Sequence, residues 1–451
     1  MMLLAACAPD PRPETVVLVV LDTVRADRLG AYGGPATPAF DAIAARGTLY
    51  ERAWAAAPWT LPSHGTLFTG LPPEGHGCTS ATLACDPRAD MLAERFAAAG
   101  WATGGFSNNP WVSPDTGLAD GFDVFVEVFR EAYGVRHAIA RYVDPDMTGL
   151  SDAGAARTVG AVDRWLAGVG DRPAFVFVNL VEAHFPYDPP AGWREDRPGG
   201  VAGDRRLMDR WLATAYAGRL GEPDAARARA LYDEEIAYTD AQLGELFRVL
   251  ERHGRADDAL VVVTADHGEG FGEHRADPVQ LIDHQLSVHD ELLHVPLVVR
   301  WPGVAEAGAR VGEDVGLVDV APLLAWALDG RAGEPPALLR PPPGRAFTAS
   351  YVPPANEIPI LAEHVPGGGA ALASRALRAV RLGREKLIAP SDGPPALFDL
   401  VDDPGETRDL AAARPDRVRV LEALLPPLPE PPGATPAAGS VEALRALGYV
   451  Q

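Results

Sequence analysis

The sequence predicts an α/β fold: a central, mostly parallel sheet sandwiched by helices, with a small antiparallel-sheet subdomain toward the C-terminus. Three observations carry this prediction. Val16 to Leu21, Ala174 to Val181 and Ala259 to Thr264 are short continuous apolar runs, the pattern of strands buried on both faces. Segments with helical spacing separate them, and that alternation builds parallel sheets covered by helices. Finally, Asp22 and the pair Asp266-His267 stand just beyond the ends of two such runs, where α/β sheets bind their ligands.

Taken in order, Val16 to Leu21 is the first strand. Thr37 and Pro38 read as N-cap and first helical residue, with Phe40, Ile43 and Ala44 on one face and Gly47 as terminator. A helix over about Ala89 to Ala99 leads to a strand near Trp101 to Phe106. The strand at Ala174 to Val181 follows, then a long helix from about Ala228 to Arg252 and the strand Ala259 to Thr264. Pro189 to about Arg227 is rich in Gly, Pro and Arg with a short helix at most, which fits a surface insertion or lid. The Pro-dense stretch Pro335 to Pro343 reads as a linker. Beyond it, Ala379 to Leu382 and Lys386 to Ala389 read as a hairpin-like pair, Pro426 to Pro436 as an extended linker and Ser440 to Leu447 as a last helix. The expected organisation is a leader remnant and tether over 1–15, a catalytic domain over 16–334 with its insertion at about 189–227, and a C-terminal subdomain over 335–451.

Hydrophobic residues make up 47% and charged residues 23% of the 451, the balance of a globular protein with a sizeable core. Lys and Arg number 40 against 62 Asp and Glu, a net charge of −22, which argues against a nucleic-acid partner, since that needs a basic face. No run of 18 apolar residues is present to span a bilayer. Leu4-Ala5-Ala6-Cys7 looks like a bacterial lipobox, so the chain is expected to be exported to the periplasm or envelope, touching membrane only through a lipid on Cys7. Cys78 and Cys85 permit a disulfide in an oxidising compartment; two free thiols in a loop are the alternative.

Asp22, Thr60 in Trp59-Thr60-Leu61-Pro62-Ser63-His64-Gly65, and Asp266-His267 form a hard, mixed oxygen and nitrogen donor set suited to a divalent cation. A free threonine is a poor nucleophile, and coordination lowers the pKa of its hydroxyl. Pro62 marks a helix start whose backbone N–H groups favour an anionic substrate near Thr60. Each fragment alone is a common turn or cap; their joint occurrence in this order points to chemistry.

Taken together, these segments resemble bacterial proteins of the sulfatase family, within the alkaline phosphatase superfamily, almost end to end. Leu21 to Gly30 resembles the family's first strand and metal-binding Asp, and Ala57 to Leu71 its nucleophile segment. Glu182-Ala183-His184-Phe185-Pro186-Tyr187 resembles its substrate-contacting segment, and Ala259 to His274 the strand leading into its Asp-His. His284 to Gly303 and Leu397 to Glu406 are similar to later blocks. The resemblance implies an alkaline phosphatase-like fold and metal ligands at Asp22, Thr60, Asp266 and His267, holding one or two ions of Zn, Mn or Ca. It implies roles for His184 and His284 at the transferred group, the leaving group or a second metal. A buried structural histidine is the alternative for both, and is our reading of His274 and His289.

Three departures shape the expected chemistry. Sulfatases proper carry Cys or Ser at the nucleophile, oxidised to formylglycine; the methyl on Thr60 forbids that aldehyde. Thr23 replaces a second Asp, and His64 stands where the signature has Arg, at a position expected to bind substrate. Members with a Thr nucleophile act on phosphodiesters, phosphomonoesters or phosphonates, or transfer phospho groups. The expected function is therefore a metal-dependent hydrolase of phosphate-type or sulfate esters, on small-molecule, glycan or lipid-linked substrates. It proceeds through a covalent ester on Thr60, with His184 and His284 serving the leaving oxygen. Asn108 or Asn109 in Ser107-Asn108-Asn109-Pro110 is a further substrate-binding candidate, Asn108 being the one named, although a turn is the preferred role for the pair. The rival readings are a phosphoethanolamine or phosphoglycerol transferase of the envelope and a non-catalytic binding protein that keeps the fold.

Overall fold

Strand β1, Thr15–Leu21, is buried along its whole length at the centre of an eight-stranded sheet, as its unbroken run of Val and Leu requires. The computed structural model describes residues 12–86, 88–128, 152–354, 365 and 370–427. After β1 come α1 (Pro38–Ala44), β2 (Thr48–Trp54), α2 (Thr60–Thr69), α3 (Pro73–His76), α4 (Leu92–Ala98), β3 (Ala102–Ser107) and β4 (Val124–Glu127). The chain continues with α5 (Ala155–Val169), β5 (Ala174–Leu180), α6 (Gly200–Tyr216), α7 (Glu222–Arg252), β6 (Leu260–Thr264), β7 (Gly270–Ala276) and β8 (Val279–Asp283). Then follow α8 (Asp290–Leu293), β9 (His294–Arg300), β10 (Arg310–Gly316) and α9 (Val320–Leu328). Strands β11 (Ala346–Tyr351), β12 (Leu377–Leu382), β13 (Glu385–Pro390) and β14 (Ala396–Asp399), with α10 (Pro415–Glu422), make up the C-terminal part.

The large sheet has the order β10-β2-β9-β6-β1-β5-β3-β4. All its pairings are parallel except those of β9, which runs antiparallel to β2 and β6. Consequently β1, β2, β3, β5 and β6 all end at one edge, and the residues that follow them meet there. β11 to β14 form a separate antiparallel sheet. The expected hairpin pair is thus the centre of a four-stranded sheet.

The segment 189–227, expected to hold a short helix at most, contains the 17-residue α6, and α7 starts six positions before the expected Ala228, at Glu222. The reason is amphipathicity: α6 buries Leu207, Trp211 and Ala215, while Arg205 faces Asp188 at 3.7 Å and Arg210 meets Asp224 at 2.8 Å. Pro223 occupies the first turn of α7, where a missing N–H costs nothing. The linker Pro335 to Pro343 is docked, since Tyr50 Oη donates to the Leu338 carbonyl at 2.8 Å and Leu338 is fully buried. Cys7 and the predicted helix Ser440 to Leu447 lie outside the described residues.

The small sheet is fastened to the large one by buried charge. Lys386 on β13, 2% exposed, places Nζ 2.5 Å from Asp290 Oδ1 and 2.9 Å from Glu406 Oε1. Glu406 Oε2 also accepts from the Asp290 backbone N–H at 2.6 Å. Arg381 contacts Asp290 and Asp314 while lying over the Trp54 ring at 3.8 Å. Removing the cation leaves two buried carboxylates facing each other, so Lys386→Met should lower stability by about 3–5 kcal/mol in chemical denaturation. Adding Asp290→Asn and Glu406→Gln to that variant should recover part of the loss.

Candidate active site

The shared edge of the parallel strands gathers three buried ligand groups. Asp22 follows β1, its backbone N–H held by the Leu180 carbonyl at 2.8 Å. Asp266 and His267 follow β6, and the three side chains can place one ligand atom each within 4.8 Å of the others. Asp22 Oδ2 accepts from Asn109 Nδ2 and Asn179 Nδ2, both at 2.9 Å. Asp266 Oδ1 accepts the backbone N–H of Thr23 at 3.2 Å and of His267 at 3.0 Å. His267 Nδ1 lies 2.9 Å from the Gly268 carbonyl, which can only accept, so Nδ1 carries the proton and Nε2 presents its lone pair.

That leaves Asp22 Oδ1, Asp266 Oδ2 and His267 Nε2 buried and without a hydrogen bond among the described residues. Three convergent electron-pair donors with no partner are costly unless a cation meets them, so this donor set fits a divalent metal. Burial, reinforced by the neighbouring His284, pushes His267 down to about 3, which keeps it a neutral ligand at neutral pH. Burial also raises the Asp266 carboxyl, with His64 opposing.

Thr60 enters from the other side. β2 delivers the chain to Trp59, which is extended, and Thr60 is itself the first residue of α2, so the helix starts at the hydroxyl and not after it. Asn109 Nδ2 bridges Thr60 Oγ1, at 3.2 Å, to Asp22 Oδ2, at 2.9 Å. Ser63 Oγ donates to the Asp266 carbonyl at 2.6 Å, tying the first turn of α2 to the end of β6. His64, one turn on, donates from Nδ1 to the Thr60 carbonyl at 2.9 Å, the same atom standing 3.5 Å from Asp266 Oδ2. Fully buried with its ring edge-on to Phe68 and Phe177, it supports Thr60 and Asp266.

Of the two adjacent asparagines, Asn108 donates from Nδ2 to the Ala153 carbonyl at 2.7 Å, and Asn109 is the one that bonds Thr60. The turn expected for this pair is real for Asn109 too, whose Oδ1 accepts the Trp111 N–H at 2.9 Å, yet the same side chain reaches the site. Asn179, near the end of β5, was not singled out by sequence reasoning; a polar residue in an otherwise apolar strand was the available signal.

The histidines stand in a row. His284 lies with its ring centroid 4.6 Å from His267 and 4.8 Å from His184. His184 Nδ1 is committed to the Phe185 carbonyl at 2.6 Å, and burial next to His284 pushes it down to about 4. His284 Nδ1 sits 2.5 Å from Asp283 Oδ1 and 3.5 Å from Glu269 Oε1, a second group able to converge on one point. Burial disfavours charge on His284, but the two carboxylates outweigh it and hold its pKa well above the usual value. Burial together with Asp283 pushes Glu269 up to about 8. Sequence reasoning missed Asp283 and gave Glu269 no role, because the separate β7–β8 hairpin, not a strand of the large sheet, brings them to the site.

Two of the six non-glycine residues with positive φ among the described residues belong to this site. Thr23, β-branched, has φ +60° and Asp283 has φ +59°. Both are held where their side chains or amides serve the cluster. Gly268 cannot carry a side chain, since a Cβ there would stand 2.0 Å from the Glu291 carbonyl oxygen. His274 and His289, expected to be structural, stack on each other with centroids 3.7 Å apart, away from this row.

The fold and this donor-lined edge define a hydrolase of ester bonds, and the sequence model of the Sulfatase family matches residues 14–330, so the chain belongs to the sulfatase family. Arylsulfatase K of Rattus norvegicus is 26% identical over 420 residues, covering 84% of this chain and 71% of the rat protein. Among solved structures, the phosphonate monoester hydrolase of Agrobacterium radiobacter superposes with TM-score 0.64 at 23% identity, covering 92% of this chain and 96% of its own. A 2-O GAG sulfatase superposes with TM-score 0.66 at 16% identity, covering 92% and 91%. At these identities the structural likeness speaks for the fold alone.

Unpartnered buried carboxylates destabilise the metal-free protein, so Asp22→Asn should melt higher than wild type in chelator. In Zn²⁺, Mn²⁺ or Ca²⁺ at about a hundred times the dissociation constant, wild type should gain about 2.7 kcal/mol and the variant much less. Melting curves of the two proteins with and without metal check this, and equal metal gains would contradict Asp22 as a ligand.

Proposed function

We propose that the protein hydrolyses phosphate-type esters, with sulfate esters as the second substrate class, through a covalent ester on Thr60 and with a divalent cation held by Asp22, Thr60, Asp266 and His267. The observation that carries this reading is the convergence of three unpartnered donor atoms, with the threonine hydroxyl linked through Asn109 to the other carboxylate oxygen of Asp22. A bound cation supplies Lewis-acid chemistry, lowering the pKa of the hydroxyl and neutralising charge on the transferred group. Because Thr60 cannot become an aldehyde, release must come from attack of water on a phosphorus or sulfur ester, which favours phosphorus.

The chain's own residues then divide the work. Thr60 Oγ1 loses its proton to solvent, from which the proton-donating histidine is recharged, and attacks phosphorus in line with the leaving oxygen, forming the Oγ–P bond as the P–O bond to the leaving group breaks. Asn109 orients Oγ1 by donating to it and so fixes the direction of attack. His284, backed by Asp283 and Glu269, gives the departing oxygen a proton, while His184, neutral and with its Nδ1 hydrogen on the Phe185 carbonyl, helps to orient that oxygen. Water then attacks the threonyl ester, breaking the Oγ–P bond and restoring the hydroxyl.

Export is part of the same proposal. Cys78 and Cys85 form a disulfide, and such bonds persist in oxidising compartments. No helix among the described residues is long and apolar enough to cross a membrane. We assign the reaction to residues 16–334 and propose that Cys7 carries a lipid that tethers the chain to the envelope.

A panel of aryl phosphate, phosphodiester, phosphonate and sulfate esters with several metals should give the highest kcat/KM on a phosphorus ester. Thr60→Ala should lose at least about 10³-fold in kcat with an unchanged circular dichroism spectrum. Wild-type rates in that variant would remove the nucleophile. Asn109→Ala should lower kcat by about 10- to 100-fold with a smaller change in KM, as loss of orientation does.

A further inference from the structure

A second set of donors lies outside the catalytic cluster. His274 on β7, His289 just before α8 and Glu291 within α8 are half-buried, and one ligand atom from each falls within 4.8 Å of the others. The catalytic Asp22, Asp266 and His267 meet the same limit. The second set stands where three parts of the chain join. The His289 ring faces Phe398 of β14 at 6.0 Å, Asp290 between the two ligands bonds Lys386, and the Glu291 carbonyl packs against Gly268, next to His267.

The spacing is that of ligands around an ion. His274 Nε2 stands 3.4 Å from Glu291 Oε2, longer than the roughly 2.7–2.9 Å of a charge-assisted hydrogen bond. Zinc bonds of about 2.0–2.1 Å meeting at the tetrahedral angle put neighbouring donor atoms about 3.3–3.4 Å apart. The catalytic pair His267 Nε2 and Asp266 Oδ2 has a matching separation, 3.3 Å. His289 is oriented much as His267 is. Its Nδ1 lies 2.9 Å from Ser287 Oγ, and with the proton on Nδ1 the lone pair of Nε2 is free. Ser287 Oγ is fixed in turn by the His289 backbone N–H at 3.2 Å.

The surroundings favour positive charge at this point. Burial disfavours charge on His274, yet Glu291, with Glu406 and Glu273 behind it, outweighs burial and holds its pKa above the usual value. Burial, with His274 and Lys386 nearby, pushes His289 well below its own, which leaves that imidazole a neutral donor. The two rings stack with centroids 3.7 Å apart and planes 6° from parallel. An ion takes the place of the proton that His274 holds and releases it to solvent. A turn of one ring about its Cβ–Cγ bond then opens the stack and brings the second lone pair onto the ion.

We propose that His274, His289 and Glu291 bind a zinc-type ion of their own, separate from the catalytic centre. Two imidazoles and one carboxylate suit zinc, whereas calcium takes oxygen ligands and is poorly served here. The ion ties the β7–β8 hairpin, which carries Asp283 and His284, to α8, whose Asp290 anchors the small sheet. Its binding does not depend on the hydrolase reading of Thr60.

The test titrates the full, chelator-treated chain with Zn²⁺ by calorimetry. Wild type should take up two ions per chain, and the double variant His274→Gln, His289→Gln only one. Asp22→Asn should also take up one, and the melting gain it keeps in Zn²⁺ should be absent in Ca²⁺. Ser287→Ala should weaken zinc at this site by about 10- to 100-fold, as loss of a ligand's orienting partner does. X-ray absorption at the zinc edge of Asp22→Asn loaded with one equivalent should show two imidazoles, against the one that His267 gives the catalytic centre; this arm stands even where the double variant does not fold. An ion count that the double variant leaves at the wild-type value, or a single imidazole in the Asp22→Asn spectrum, would overturn the proposal. One ion in wild type that Asp22→Asn keeps and the double variant loses would uphold this site and defeat the catalytic-metal reading instead.

Discussion

Three buried electron-pair donors with no hydrogen-bonding partner face one another at the edge of a parallel sheet, and the arrangement around them follows from the need to hold them there. Asp22 Oδ1, Asp266 Oδ2 and His267 Nε2 would repel one another in a dry site without a cation. Each is nevertheless fixed by its other polar atom: two asparagines on Asp22, two backbone amides on Asp266, and a carbonyl on His267. Such orientation of ligands by a surrounding layer of hydrogen bonds is what a metal centre needs. The strained Thr23 belongs to this layer, since its amide holds Asp266 and its carbonyl accepts from Tyr232.

The second carboxylate group has a different character. Glu269 and Asp283 crowd one imidazole, His284, and that imidazole touches both a metal-type ligand and the partly exposed His184. The histidine row thereby runs from the buried donor cluster to the partly exposed His184. The Lys386 network plays the complementary role on the far side. It spends a buried cation on Asp290, next to the turn into β9, and so fixes the small sheet against the large one.

The buried centre of the sheet was legible because strands covered on both faces need unbroken apolar runs, and β1, β5 and β6 have them. Asp22, Asp266 and His267 were legible for the same reason, each standing just past such a run. The edge strands were not: β4 and β10 are largely half-exposed and carry no continuous apolar signal. The reversed direction of β9 leaves no trace in composition either. Helix α6 hid behind its arginines and the Gly199-Gly200 pair at its start, and its reality depends on Trp211 finding a buried place. Asn109 could not be told from Asn108 by spacing, since which of two adjacent side chains faces the sheet edge is fixed by tertiary packing.

The most direct measurement is an anomalous difference map from crystals of the full chain grown with Mn²⁺ or Zn²⁺. The account predicts a peak in contact with Asp22 Oδ1, Asp266 Oδ2, His267 Nε2 and Thr60 Oγ1 together, at about 2.0–2.2 Å for a zinc-type ion. Full metal loading with the density elsewhere, or with Thr60 left out of contact, would contradict it.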